Sequence, residues 1–475
     1  MPFRFDPREQ AALLLGLLKW AALGSLVGVL AGVASAAFLH SLTWATDYRE
    51  AHPLLLLLLP LAGLLIGLVY HRWGHSVAAG SNLLIDAIHT ERGAATAIPF
   101  RMAPLVLFGT VVTHLFGGSA GREGTAVQMG GTLANLLTKP LRLSHRDHRV
   151  LIMSGISAGF GSVFGTPLAG TVFGMEVLTL GRIGSAALLP CLAAAYVGDV
   201  TARALGVHHH VYDVYSVAVP LPALTPGLWG FIALAGALFG LASLLFVELT
   251  DAVAHAAKRL LPDRPYLRPA LGGVLVIALT YAVGTRDYLG LSLPLIERSF
   301  APGGVFLLAW LLKTVFTAVT LGTGFKGGEV TPLFGIGATL GAAFAQVTGQ
   351  PPALFAGLGF VAVFAGAANT PLACTLMGIE LFGAQMGVPC ATACVLAYLL
   401  SGHRGIYASQ RVGTAKAEGV VVAGGTALRD ARAGRGVRVR LPRRRRSRRS
   451  DGAAQEPALP GANSAETTRG NGERV

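Results

Sequence analysis

The sequence predicts an all-α polytopic membrane protein built from two ancestral halves. The first observation behind this is composition. The 475 residues are 53% hydrophobic and only 13% charged, with a mean hydropathy of +0.58, whereas a soluble domain carries about 25% charge. The second is the number of apolar runs, several of them near the roughly 20 residues that span a bilayer. The third is internal repetition. Thr166-Pro167-Leu168-Ala169-Gly170-Thr171-Val172-Phe173-Gly174-Met175-Glu176 matches Thr370 to Glu380 at seven of eleven positions with an offset of 204. A second pair of motifs, Glu123 with Thr125 and Glu329 with Thr331, recurs at an offset of 206. Thr-Pro and Glu are not ordinary membrane filler, so two motifs at nearly one offset mark a duplication.

The elements follow in order. Residues 1–10 mix both charges, and the apolar run at 11–40 is too long for a signal-peptide core, so it is expected to be the first membrane helix, with Lys19 snorkelling or lying on a bundle surface. Apolar runs at 54–70, 103–116, 124–137, 150–180 and 184–205 complete the first half; those at 226–250, 268–284, 303–321, 331–347, 353–384 and 387–401 form the second. Glycine and proline break many of them. Broken and re-entrant helices are tolerated at membrane depth only where protein or a water-filled cavity satisfies the freed backbone. The 62 glycines are mostly read as sites of close helix packing. Cys191, Cys374, Cys390 and Cys394 lie in apolar runs without metal-ligand spacing and are read as small packing residues. His208-His209-His210 is read as a solvated loop, because successive side chains diverge and no carboxylate is suitably spaced.

Residues 1–411 thus form a membrane domain with repeats at about 11–205 and 226–411. Beyond it the composition changes. From Arg429 onward 13 arginines stand against five acids, and residues 412–475 are expected to be a disordered tail, cytoplasmic by the positive-inside rule and close to anionic lipid headgroups. No aromatic residues interleave the arginines, so no nucleic-acid role is expected.

Two acids define the candidate site. Glu123 sits in Gly117-Gly118-Ser119-Ala120-Gly121-Arg122-Glu123-Gly124-Thr125, and Glu329 in Gly324-Phe325-Lys326-Gly327-Gly328-Glu329-Val330-Thr331. An ionisable side chain at membrane depth is a functional candidate by default. Each motif precedes an apolar helical run, so each places a helix start inside the protein. The first backbone N–H groups there lack partners and carry partial positive charge, which suits an anion. A carboxylate at such an end can occupy the anion's place when ionised and leave it when protonated. Pro332 fits the first turn of its helix, and Thr331 adds a hydroxyl donor. Ala79-Gly80-Ser81-Asn82 opens another short helix, where the polar pair reads equally well as ordinary capping. Glu176 and Glu380 hold equivalent repeat positions and are read as structural, bonded to backbone near helix ends. The spacing Gly322-x-Gly324-x-x-Gly327 resembles a dinucleotide fingerprint, but it joins two apolar helices rather than a strand and a helix. No nucleophile motif or HExxH helix is present, so an enzyme is not expected and no cofactor or metal is implied.

Taken together, Gly121-Arg122-Glu123-Gly124, the glycine-rich approach to Pro332 and the tyrosine of Gly405-Ile406-Tyr407 resemble the CLC chloride channels and proton-coupled transporters over about residues 11–411. The resemblance implies a homodimer of CLC-like inverted repeats, one pathway per subunit, with Glu123 as the gating and proton-carrying glutamate. It places Ser81, Asn82, Gly121, Arg122, Gly124, Gly328, Glu329, Val330, Thr331 and Tyr407 along the anion pathway. The departures are informative. Gly80-Ser81-Asn82-Leu83-Leu84 stands where Gly-Ser-Gly-Ile-Pro is usual, and Gly328-Glu329-Val330-Thr331-Pro332 where Gly-x-Phe-x-Pro is usual. Val177 falls where chloride antiporters carry an internal proton-relay glutamate. These features resemble the fluoride/proton antiporter branch, and they leave open whether Ser81 or Asn82 supplies the anion contact. A small, strongly hydrated ion needs close donors, which Asn82 and Thr331 add, and a protonated Glu329 can offer an O–H. The resemblance therefore implies fluoride and protons as the transported ions. The alternative is a passive chloride channel or a chloride/proton antiporter of the same family, to which Val177 lends weight.

Overall fold

The computed structural model describes residues 6–90, 98–209, 222–433 and 437–439. The first half contributes eight helices: α1 (Pro7–Ala51), α2 (Leu59–Trp73), α3 (Ser81–His89), α4 (Met102–Leu115), α5 (Glu123–Leu136), α6 (His145–Phe164), α7 (Pro167–Glu176) and α8 (Leu188–Ala204). The second half contributes eight more: α9 (Pro226–Leu260), α10 (Arg268–Val283), α11 (Leu293–Arg298), α12 (Ala309–Gly322), α13 (Val330–Thr348), α14 (Pro352–Ala368), α15 (Pro371–Phe382) and α16 (Gly387–Leu400). Among the described residues six helical segments are long and apolar enough to cross a membrane, and five more apolar helices are shorter. At 1.5 Å per residue α7 is only about 15 Å long, half a bilayer core.

The halves correspond helix for helix, and the junctions show why the sequence repeats. α6 ends on Gly165 in the left-handed conformation (φ 71°) and α14 ends on Asn369 in the same conformation (φ 58°). Each is followed by a Thr-Pro pair that opens the next helix, with proline in the first turn where no N–H is needed. α7 and α15 then pack against each other, each capped by the other's glutamate. Glu176 accepts from the N–H groups of Leu372 (3.1 Å) and Ala373 (2.8 Å). Glu380 accepts from those of Leu168 (2.9 Å) and Ala169 (2.8 Å). The C-terminal end of each helix therefore reaches the N-terminal end of its repeat, so the two run antiparallel and the repeats are inverted. The structural reading of Glu176 and Glu380 agrees with this geometry.

Because each carboxylate satisfies two orphan donors, Glu176→Ala and Glu380→Ala should each cost about 2 kcal/mol of stability. The two losses should add, since they lie at opposite ends of the pair. Thermal unfolding in detergent measures this, and equal melting temperatures for wild type and both variants would remove the capping role.

The fold runs past the boundary expected at 411. β1 (Thr179–Leu180) pairs in parallel with β2 (Arg411–Val412), and β3 (Val420–Val422) pairs antiparallel with β4 (Val437–Val439). A short helix, α17 (Leu428–Arg432), buries Leu428 in a cluster with Leu180 and Val412. Lys416 donates to Asn369 Oδ1 (2.6 Å), Ser401 Oγ (3.0 Å) and the Tyr398 carbonyl. The compact unit accordingly extends to Val439, because a few buried side chains and ladder bonds seat a segment whose composition looks polar. Residues 440–475, with most of the tail arginines, lie outside the described residues. The four cysteines are buried and unpaired. Lys19 pairs with Asp147 in the first turn of α6 (2.7 Å).

Candidate functional site

The two glycine-rich motifs meet directly. Gly121 N–H donates to the Gly328 carbonyl (2.6 Å) and Gly328 N–H to the Gly121 carbonyl (2.8 Å), a single antiparallel bridge between the halves. Side chains have no room here. A Cβ on Gly121 would stand 2.9 Å from the Gly328 oxygen, and one on Gly328 would stand 2.8 Å from the Gly124 nitrogen. The starts of α5 and α13 are thereby drawn together, and their unsatisfied N–H groups converge.

A buried frame fixes the first motif. Ser119 N–H donates to Thr320 Oγ1 (3.1 Å), and Ser119 and Thr317 share a hydroxyl bond of 2.9 Å. Lys313, on the same face of α12 and fully buried, donates to Ser119 Oγ (2.9 Å), Ser292 Oγ (2.8 Å) and the carbonyls of Gly290 (2.9 Å) and Tyr288 (3.2 Å). Four oxygens solvate this cation in place of a carboxylate. Thr110 and Thr125 tie α4 to α5 through their hydroxyls (2.7 Å).

Glu123 is completely buried. Its Oε2 accepts from the N–H groups of Arg122 (3.1 Å) and Thr331 (3.0 Å), while its Oε1 accepts the Thr331 hydroxyl. The Arg122 guanidinium stands alongside, with Nε 3.6 Å from Oε1. The carboxylate thus occupies the donors that an anion at the two helix starts would use. Next to it lies a cavity of about 20 Å³ walled by Phe164, Phe334 and Phe360, room for about one water-sized particle. Val330, the first residue of α13, is buried beside these groups.

Glu329 stands at the N-cap position of α13, makes no capping bond with its side chain and faces a different space. It lines a cavity of about 170 Å³ together with Ser81, Asn82, Gln128, Lys326 and Tyr407. Its Oε2 lies 3.7 Å from where a Cβ on Gly124 would stand, so it also approaches the start of α5. Asn82 is held by the segment after Tyr407: Ser409 N–H donates to Asn82 Oδ1 (2.9 Å), and Ser409 Oγ donates to Asp86 Oδ2 one turn further along α3 (2.8 Å). That bond orients the amide, leaving its NH₂ as the donor free to serve the cavity. Ser81 Oγ accepts from Gln128 Nε2 (3.4 Å), which frees its own hydroxyl proton. Val177 is buried at the end of α7, where its carbonyl accepts from Gln410 Nε2 (2.9 Å).

Every residue expected along the pathway therefore lies at the junction or on one of these two cavities. Gln128, Lys326, Lys313 and Ser119 were not among the expected site residues. A rule that flags any ionisable residue in a glycine-rich or apolar segment would have found the two lysines. A larger cavity, about 450 Å³, is lined by Arg49, Glu50, Arg286 and Asp287 among others and shares no residue with either motif. His208 is exposed, but His209 is turned against Asp199, with Nε2 3.2 Å from Oδ1, which corrects the reading of a wholly solvated loop; His210 lies outside the described residues. Among the described residues no group of three His, Cys, Asp or Glu is placed to hold a metal.

Comparison with known proteins gives the family. The model described as "Voltage gated chloride channel" matches residues 62–402. The chain belongs to this voltage-gated chloride channel, or CLC, family. The "Chloride/fluoride channel protein" of Pseudomonas syringae pv. tomato is 52% identical to it, over 87% of this chain and 91% of that one. The H(+)/Cl(-) exchange transporter ClcA of Vibrio vulnificus is 27% identical over 76% and 81% respectively. Among solved structures, a CLC-type fluoride/proton antiporter superposes with a TM-score of 0.78 at 36% identity, over 86% of this chain and all of that one. A slow cyanobacterial Cl-/H+ antiporter superposes with a TM-score of 0.68 at 21% identity, over 84% and 95%, and shares the CLC fold.

Proposed function

We propose that the protein is a secondary active transporter that exports fluoride from the cell in exchange for protons. The observation that carries this reading is the Glu123 carboxylate held by the N–H and hydroxyl of Thr331 and the N–H of Arg122. When ionised, Glu123 fills the anion site and closes it. When protonated, it loses most of its attraction for those donors. It can then turn aside with its proton while an anion takes its place. Alternation between these states moves one ion against the other. Thr331 supplies two donors at close range, as a small hard anion requires, and the Glu329-Val330-Thr331-Pro332 sequence supports fluoride as that anion, as does the likeness to a chloride/fluoride channel protein at 52% identity and to a fluoride/proton antiporter at 36%.

The protein would work as a homodimer with one pathway per subunit and its arginine-rich C-terminal tail in the cytoplasm. Passive chloride conduction, or chloride/proton exchange, is the second reading. The apolar Val177, which offers no proton relay at the end of α7, favours a channel. Anion selectivity separates the readings. In liposomes loaded with fluoride, an outward fluoride gradient should drive protons inward, and chloride should do so far less well. Fluoride flux without proton movement, or faster chloride flux, would select the second reading.

A further inference from the structure

Lys326 belongs to neither the gate nor its frame, yet it lines the 170 Å³ cavity. Its placement is specific. The aliphatic stem runs over Gly109 of α4, where a Cβ would come 2.8 Å from Lys326 Cβ and 2.9 Å from Cγ. The ammonium stands over the Tyr70 ring, 4.3 Å from its centroid. Aromatic contact of this kind holds an ammonium while leaving N–H donors over for another partner. Among the described residues no hydrogen bond or ion pair takes those donors up. The two lysines of this region thus differ. Lys313 is enclosed by four oxygens and is structural, whereas Lys326 lines a cavity and, among the described residues, has no oxygen partner for its donors.

The other walls supply further donors: the Asn82 amide, the Ser81 hydroxyl and the Tyr407 phenol. They also supply a problem. An anion entering this cavity meets Glu329 on its wall and Glu123 beyond, and at such separations like charges repel strongly in a medium less polarisable than water. Arg122 is already beside Glu123. Lys326 is the cation placed to offset Glu329.

We propose that Lys326 is a specificity-determining residue for anion loading. It binds the incoming fluoride in the 170 Å³ cavity, with Asn82 and Ser81, and makes that cavity habitable for an anion beside Glu329. This rests on the fluoride/proton reading above. Lys326 acts on affinity and takes no part in the gate's proton exchange, so it should govern how much fluoride is needed and leave the number of protons exchanged unchanged.

The test uses the full-length purified protein. Fluoride is titrated calorimetrically in detergent, and in parallel the KM for fluoride and the proton-to-fluoride ratio are measured in liposomes. Lys326→Gln and Lys326→Met, checked for folding by gel filtration and melting temperature, should raise the Kd and KM for fluoride roughly tenfold with an unchanged ratio. Lys326→Arg should recover most of the affinity. In a Glu329→Gln background the same Lys326→Gln change should weaken fluoride binding less, because the charge it offsets is gone. If the wild type couples fluoride to protons and Lys326→Gln binds fluoride as tightly as wild type, this inference alone is overturned. If the wild type neither binds fluoride nor couples it, the fluoride/proton reading has failed and the inference falls with it.

Discussion

Glu123→Gln should abolish coupled turnover, with fluoride-driven proton movement falling at least a hundredfold, to the background of empty liposomes. The geometry makes the substitution informative, because glutamine preserves size while altering two properties. It cannot carry and release a proton, so the exchange loses its carrier. It also replaces one acceptor oxygen with an NH₂ donor. The native carboxylate accepts from two N–H groups and one hydroxyl; the amide can keep its oxygen on the two N–H groups only by turning its NH₂ to the Thr331 hydroxyl, which then accepts instead of donating. The neutral amide oxygen also lacks the charge that makes hydrogen bonds to a carboxylate roughly twice as strong as neutral ones. The amide should therefore hold the site less firmly than the carboxylate, and fluoride binding in detergent should be retained or tightened as transport is lost. A pH electrode in the liposome bath and calorimetry on the same preparation read the two effects. Proton movement at the wild-type rate would remove Glu123 from the mechanism.

The same local geometry shows which parts of the molecule a reader of the sequence could reach. The duplication was legible because its signals are not ordinary membrane filler: a repeated Thr-Pro, and acids in apolar surroundings. These recur where the backbone must start a helix inside the protein, and there the structure places α5 with α13, and α7 with α15. Contacts between halves were not legible. Glu176 and Glu380 could be taken as backbone-bonded, but which helix each caps depends on how the halves pack. The orientation of the Asn82 amide likewise depends on Ser409, more than 300 residues away. The packed segment after Tyr407 escaped notice for another reason. Its elements are two to five residues long, too short for any periodicity, and a handful of buried side chains suffices to seat it.

Glu329→Gln should slow coupled exchange by at least tenfold while leaving the Glu123–Thr331 closure intact. The two acids border different cavities. Glu123 and Thr331 border the small phenylalanine-walled cavity, whereas Glu329, two residues before Thr331, borders the larger cavity with Lys326 and Tyr407. A proton delivered to Glu123 from one side must leave towards the other, and Val177 offers nothing titratable on an alternative course. Glu329 is the carboxylate placed on the receiving cavity, close to the start of α5. It can take the proton from Glu123, or donate an O–H to fluoride and leave with it as a neutral pair. Glutamine keeps the polarity and volume of this position, so the cavity should persist and the protein should melt as the wild type does. Only the transferable proton is lost. Glu329→Asp retains the acid on a shorter arm and should recover part of the rate. If Glu329→Gln exchanges fluoride for protons at the wild-type rate and ratio, the proton crosses by another route, and Glu329 only lines the cavity.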